Sequence, residues 1–102
     1  MCQKFSGGPF GAFITYPTDG VIYKEGLEFK KTIQSSDWAQ RSFCSECGTS
    51  LEYIFKKKPE DTSLAAGILD SDPKIKPDKH IFTKDKCSWF EITDGLEEIE
   101  RY

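Results

Sequence analysis

Apolar side chains recur at every second position along much of this chain. In residues 10–16, Phe10, Ala12, Ile14 and Tyr16 fall on one face, and Gly11, Phe13 and Thr15 on the other. That two-residue period is the signature of a β-strand. Pro17-Thr18-Asp19-Gly20 closes the strand with turn chemistry. Val21-Ile22-Tyr23 predicts a short second strand, and residues 27–33 a third with Leu27, Phe29 and Ile33 inward. Gln34-Ser35-Ser36-Asp37 reads as a polar linker, and Trp38 as a buried neighbour of the hairpin that follows. Residues 50–55 alternate again, as do residues 62–69, where Leu64, Ala66 and Ile68 share a face. His80-Ile81-Phe82 predicts a last short strand, and the acidic tail from Asp94 is expected to be loosely held. Almost nothing repeats with a helical period. The chain is therefore read as mainly β, one domain over residues 1–102.

Composition narrows this picture. Eight Phe, four Tyr and two Trp rule out a disordered tail. A formal net charge of −3 argues against nucleic acid or an anionic membrane as partner. Lys56-Lys57-Lys58 ahead of Pro59 reads as a solvated hairpin loop rather than a basic patch. No apolar run approaches the length of a membrane span. With four cysteines and no dense disulfide framework, the expected compartment is reducing, the cytoplasm.

The chemistry concentrates in Phe43-Cys44-Ser45-Glu46-Cys47-Gly48-Thr49-Ser50-Leu51. A two-residue spacer lets both thiolates face one metal, and a glycine after the second cysteine tolerates the positive φ of a tight turn. A redox dithiol of the same spacing belongs at a helix start after a strand. Here the alternation resumes at Ser50, so a zinc knuckle in a hairpin is the better reading. Cys44 and Cys47 supply two of the four ligands a structural zinc needs.

Those residues resemble the F-C-x-x-C-G-T-x-L segment of a known family. Cys2-Gln3-Lys4-Phe5-Ser6-Gly7-Gly8-Pro9-Phe10 is similar to the stretch that begins at the last cysteine of the same family's C-H-C-x-x-C motif. Gly67-Ile68-Leu69-Asp70, His80-Ile81-Phe82, Asp85-Lys86 and Trp89 follow its later landmarks in order. The family is that of glutathione-dependent formaldehyde-activating enzymes, which includes centromere protein V. The resemblance implies small antiparallel sheets pinned by zinc knuckles, similar to the methionine sulfoxide reductase B type of fold. It also implies zinc-dependent carbon–sulfur lyase chemistry, with formaldehyde joined to glutathione to give S-hydroxymethylglutathione. In the family, a structural zinc takes two cysteines from an N-terminal C-x-C and two from the knuckle. A catalytic zinc takes the three cysteines of C-H-C-x-x-C.

Carried over, Cys44 and Cys47 match half of the structural site, and Cys2 matches the last ligand of the catalytic site. The counterparts of the other ligands lie upstream of the family segment matched here. One cysteine cannot hold a catalytic zinc, so this chain alone is expected to be weakly active or inactive. Cys87 matches no family ligand and is read as a small packed residue; His80 is read as a packed, hydrogen-bonded histidine. A single site made from Cys2, Cys44, Cys47 and Cys87 would require the chain ends to converge. An unpaired sheet edge makes a homodimer a further expectation. The alternative from another class is a non-catalytic zinc-knuckle module that binds a partner.

Overall fold

Five of the alternating stretches pair into one antiparallel sheet. The structure, a computed structural model, describes residues 1–101. Its strands are β1 (Phe13–Pro17), β2 (Lys30–Ser36), β3 (Ala39–Cys44), β4 (Ser50–Phe55) and β5 (Asp61–Ala65), in the order β1-β5-β4-β3-β2. They belong to one compact unit made of Met1 and Ala12–Asp70.

The register shows what each face carries, because residues directly opposite one another share a face. Pairing of Phe13 with Ala65, Tyr53 with Ser63, Arg41 with Tyr53 and Ile33 with Arg41 places these side chains on one face. Aromatic rings dominate it. Phe13 and Tyr53 meet edge-on at 4.8 Å, Tyr53 and Phe55 at 5.4 Å, and the Arg41 guanidinium lies 5.2 Å from the Tyr53 centroid. The opposite face carries Ile14, Leu64, Glu52, Ser42 and Thr32.

That second face is held by polar groups. Among the described residues the buried apolar side chains are Ala39 and Leu64, whereas Arg41, Ser42, Glu52, Thr62 and Ser63 are also buried. Burial of polar groups is tolerable only when they are hydrogen-bonded. Hydroxyl pairs meet that demand: Thr32 with Ser42 at 2.9 Å, Thr18 of the turn after β1 with Thr62 at 2.9 Å, and, on the aromatic face, Thr15 with Ser63 at 3.0 Å. Glu52, only 2% exposed, forms an ion pair with Lys30 and accepts a hydrogen bond from the Tyr23 hydroxyl at 2.8 Å. Central strand, edge strand and the covering loop thus meet at one carboxylate.

This network explains where the structure departs from the alternation. Val21-Ile22-Tyr23 forms no strand; Tyr23 turns toward Glu52, and Ile22 is left 81% exposed. Residues Leu27–Phe29 make a single 3₁₀ turn, entered through Gly26 at φ +77°, before β2 begins. The linker residues 34–36 belong to β2, with a register shift between Gln34 and Ser36 that opens into the turn. Trp38 sits in that turn at 62% exposure, so the expectation of a buried tryptophan is not met: the turn carries its ring outward. Residues Ala66–Ile68 leave the sheet as another 3₁₀ turn.

The second unit is Cys2–Gly11 with residues 71–101. It opens with a five-residue helix, α1 (Cys2–Ser6). Its strands β6 (Lys79–Ile81) and β7 (Glu97–Ile99) pair in parallel. The tail is therefore paired in sheet as far as Ile99. Tyr102 lies outside the described residues.

Replacing Glu52 with alanine leaves the Lys30 amine and Tyr23 hydroxyl without their shared acceptor and is expected to destabilise the first unit by about 3 kcal/mol. Urea denaturation of the variant measures this, and a change within experimental error would contradict it. Tyr23 ionises well above the ordinary tyrosine range, because of burial first and then its bond to Glu52. The group is neutral when folded but ionises near pH 10 when unfolded, so its contribution is intact below that pH and lost above it. Stability should fall above about pH 10 more steeply in the parent chain than in Tyr23→Phe.

Candidate functional site

The cysteine hairpin is built by backbone geometry before any metal is considered. Cys44, the last residue of β3, donates its N–H to Thr49 O at 2.9 Å, and Gly48 donates back to Cys44 O at 2.8 Å. Gly48 adopts φ +80°, a conformation that L side chains rarely take. A further bond, Ser45 N–H to Phe29 O at 2.8 Å, fastens the turn to the 3₁₀ turn before β2. The result brings the Cys44 and Cys47 thiols into contact.

Cys47 is exposed, and its thiol ionises below the ordinary range. The Thr49 hydroxyl, 3.0 Å from Cys47 Sγ, contributes most; the Thr49 backbone N–H and the Cys44 thiol add to it. Donors aimed at sulfur favour the thiolate, the form that binds metal. Two thiols, one thiolate-prone, fit one half of a tetrahedral zinc site. Among the described residues, no three His, Cys, Asp or Glu side chains are grouped so as to hold a metal.

The second unit contains the other candidates. Cys2, half-buried, starts α1, and its carbonyl accepts a bond from the Ser6 hydroxyl. Gln3 donates through Nε2 to Asp85 O at 3.0 Å. Gly7, at φ +71°, donates its N–H to Gln3 O and ends the helix. Cys87 is half-buried and, like the other three cysteines, is outside any disulfide.

His80 is hydrogen-bonded as expected, but to a partner that the sequence gave no reason to select. Its Nε2 lies 2.7 Å from Asp94 Oδ2. Asp94 Oδ1 accepts the Leu96 N–H at 3.1 Å, an Asx-type turn next to Gly95 at φ +74°. The bond from His80, then that from Leu96, holds the Asp94 carboxyl below its usual range. Phe10 stands edge-on to both His80, at 5.9 Å, and Phe90, at 5.7 Å.

Fold and hairpin together define a mainly β domain with a paired-cysteine turn, and comparison with known proteins gives that class a family. The family described as glutathione-dependent formaldehyde-activating enzyme matches residues 1–85. The chain belongs to this family. Among solved structures, a Rhodobacter sphaeroides protein is similar, with a TM-score of 0.59 and 20% identity. The match covers 72% of this chain and 65% of that one, so the chain spans under two thirds of its structural relative. At that identity the likeness concerns the fold. No curated protein matches.

The geometry around Cys47 leads to a specific reactivity. Thr49→Val removes the hydroxyl but keeps the backbone donor, and should slow alkylation of Cys47 by iodoacetamide at pH 7.5 by about threefold. Mass spectrometry of labelled peptides reads the rate; an unchanged rate would show that the hydroxyl does not tune the thiol.

Proposed function

We propose that this chain is a zinc-dependent carbon–sulfur lyase-type domain acting on a small thiol adduct of the glutathione–formaldehyde kind, and weakly active alone. The observation that carries the reading is the Cys44–Cys47 thiol pair, held by a hairpin turn in the segment that matches the family's F-C-x-x-C-G-T-x-L. In this reading the pair holds a structural zinc, within a knuckle-pinned fold like that of methionine sulfoxide reductase B. Cys2 is one ligand of a catalytic zinc whose other ligands this chain does not supply. A second copy of the chain is one source of the missing structural ligands. Reduced thiols suit a reducing compartment such as the cytoplasm.

The reaction itself is simple. The sulfur of the thiol attacks the formaldehyde carbon, the carbonyl π pair moves to oxygen, and that oxygen takes up the proton the thiol gave up. Zinc, when bound, keeps a thiol ionised at neutral pH and polarises a carbonyl. The chain must hold ligands in thiolate form, and the Thr49 donors serve that need at Cys47.

Native mass spectrometry of protein purified with zinc should find metal bound, as one per chain or one per two chains, and lost on Cys44→Ser. The same sample should speed formation of S-hydroxymethylglutathione slightly above the spontaneous reaction. Zinc without any acceleration would favour the non-catalytic binding module. A zinc content indifferent to Cys44→Ser would overturn the knuckle assignment.

A further inference from the structure

His80 is the one histidine of the chain, and nothing in the cysteine chemistry accounts for how it is held. Three constraints act on it. Strand β6 fixes its backbone through parallel pairing with β7, where Glu98 stands opposite. Phe10 meets its ring edge-on, and Phe90 meets Phe10 in turn. Asp94 binds Nε2 at 2.7 Å, and its own carboxylate is oriented by the Leu96 N–H. The imidazole is 14% exposed, while Asp94 is 47% exposed. Lys86, bonded through Nζ to Phe90 O at 3.1 Å, anchors the loop that brings Phe90 up.

A carboxylate at Nε2 accepts a hydrogen bond from Nε2–H, which leaves Nδ1 of the neutral ring as the basic nitrogen. The arrangement repeats the logic of an oriented catalytic imidazole: a carboxylate selects the tautomer, and the opposite nitrogen moves the proton. The segment Cys2–Gly11 also carries Phe10, so this pair and the family's catalytic-motif segment occupy one unit.

We propose that His80 and Asp94 form a proton-transfer pair for the thiol–aldehyde reaction, with His80 Nδ1 as the base and Asp94 as its positioning residue. The proposal rests on the lyase reading above. His80 Nδ1 takes the proton of the thiol S–H as sulfur bonds to the aldehyde carbon. The carbonyl π pair goes to oxygen, and Nδ1–H returns the proton to that oxygen. Thiol and aldehyde become a hemithioacetal with no other reactant, and the imidazole ends as it began.

Two measurements on the full zinc-loaded chain decide the matter. In ¹⁵N NMR the single histidine should show the Nε2–H tautomer, and Asp94→Asn should shift it toward Nδ1–H, because the carboxamide N–H₂ can donate to Nε2. An Nδ1–H parent, or a tautomer indifferent to Asp94→Asn, would overturn the pair. Exchange NMR of glutathione with formaldehyde reads the catalysed rate. His80→Gln and Asp94→Asn should each return it to the spontaneous rate while zinc content stays unchanged. Acceleration by the parent that survives both variants would overturn the proton-transfer role and leave the lyase reading intact. Absence of acceleration in the parent would overturn both, and loss of zinc in either variant would assign the pair a structural role instead.

Discussion

A buried carboxylate organises the larger unit. Glu52 lies on a central strand with almost no exposure, yet the apolar burial around it is slight: Ala39 and Leu64 are the buried apolar side chains described. A carboxylate in such a place costs several kcal/mol unless it is paired and hydrogen-bonded. Lys30 on edge strand β2 and Tyr23 in the covering loop meet that requirement. The same contacts bring β2 and the loop to the sheet. The turn at Leu27–Phe29 then accepts the Ser45 N–H, so the cysteine hairpin is fastened to the structure that the carboxylate assembles.

Strand content was legible because period-two alternation survives wherever a strand has two different faces, as in β1, β4 and β5. Boundaries depart from the pattern where a long-range side-chain bond or a backbone turn outweighs it. Val21-Ile22-Tyr23 has strong β propensity, but Tyr23 reaches Glu52 from a loop, a contact 29 residues distant. Residues 66–68 continue the alternation in sequence and leave the sheet in space. Trp38 reads as a buried neighbour of the cysteine hairpin, although the register shift at Gln34/Ser36 sets it in an exposed turn. The paired cysteines were legible, since two-residue spacing and a following glycine specify a local turn. Asp94 was not: its link to His80 spans 14 residues, and no spacing rule announces it.

Chemically active groups are found in both units. The hairpin offers a thiolate-prone cysteine beside a second thiol, an arrangement suited to a metal. The other unit holds Cys2 and an oriented imidazole. In the proposed reading these groups share a context in thiol–formaldehyde chemistry, where one part stabilises the fold and another manages a thiol proton.

The zinc-edge X-ray absorption spectrum of the zinc-loaded chain tests the central assignment most directly. Sulfur neighbours at about 2.3 Å are expected, fewer in number after Cys47→Ser. Zinc surrounded only by nitrogen and oxygen at about 2.0–2.1 Å, unchanged by that substitution, would contradict it.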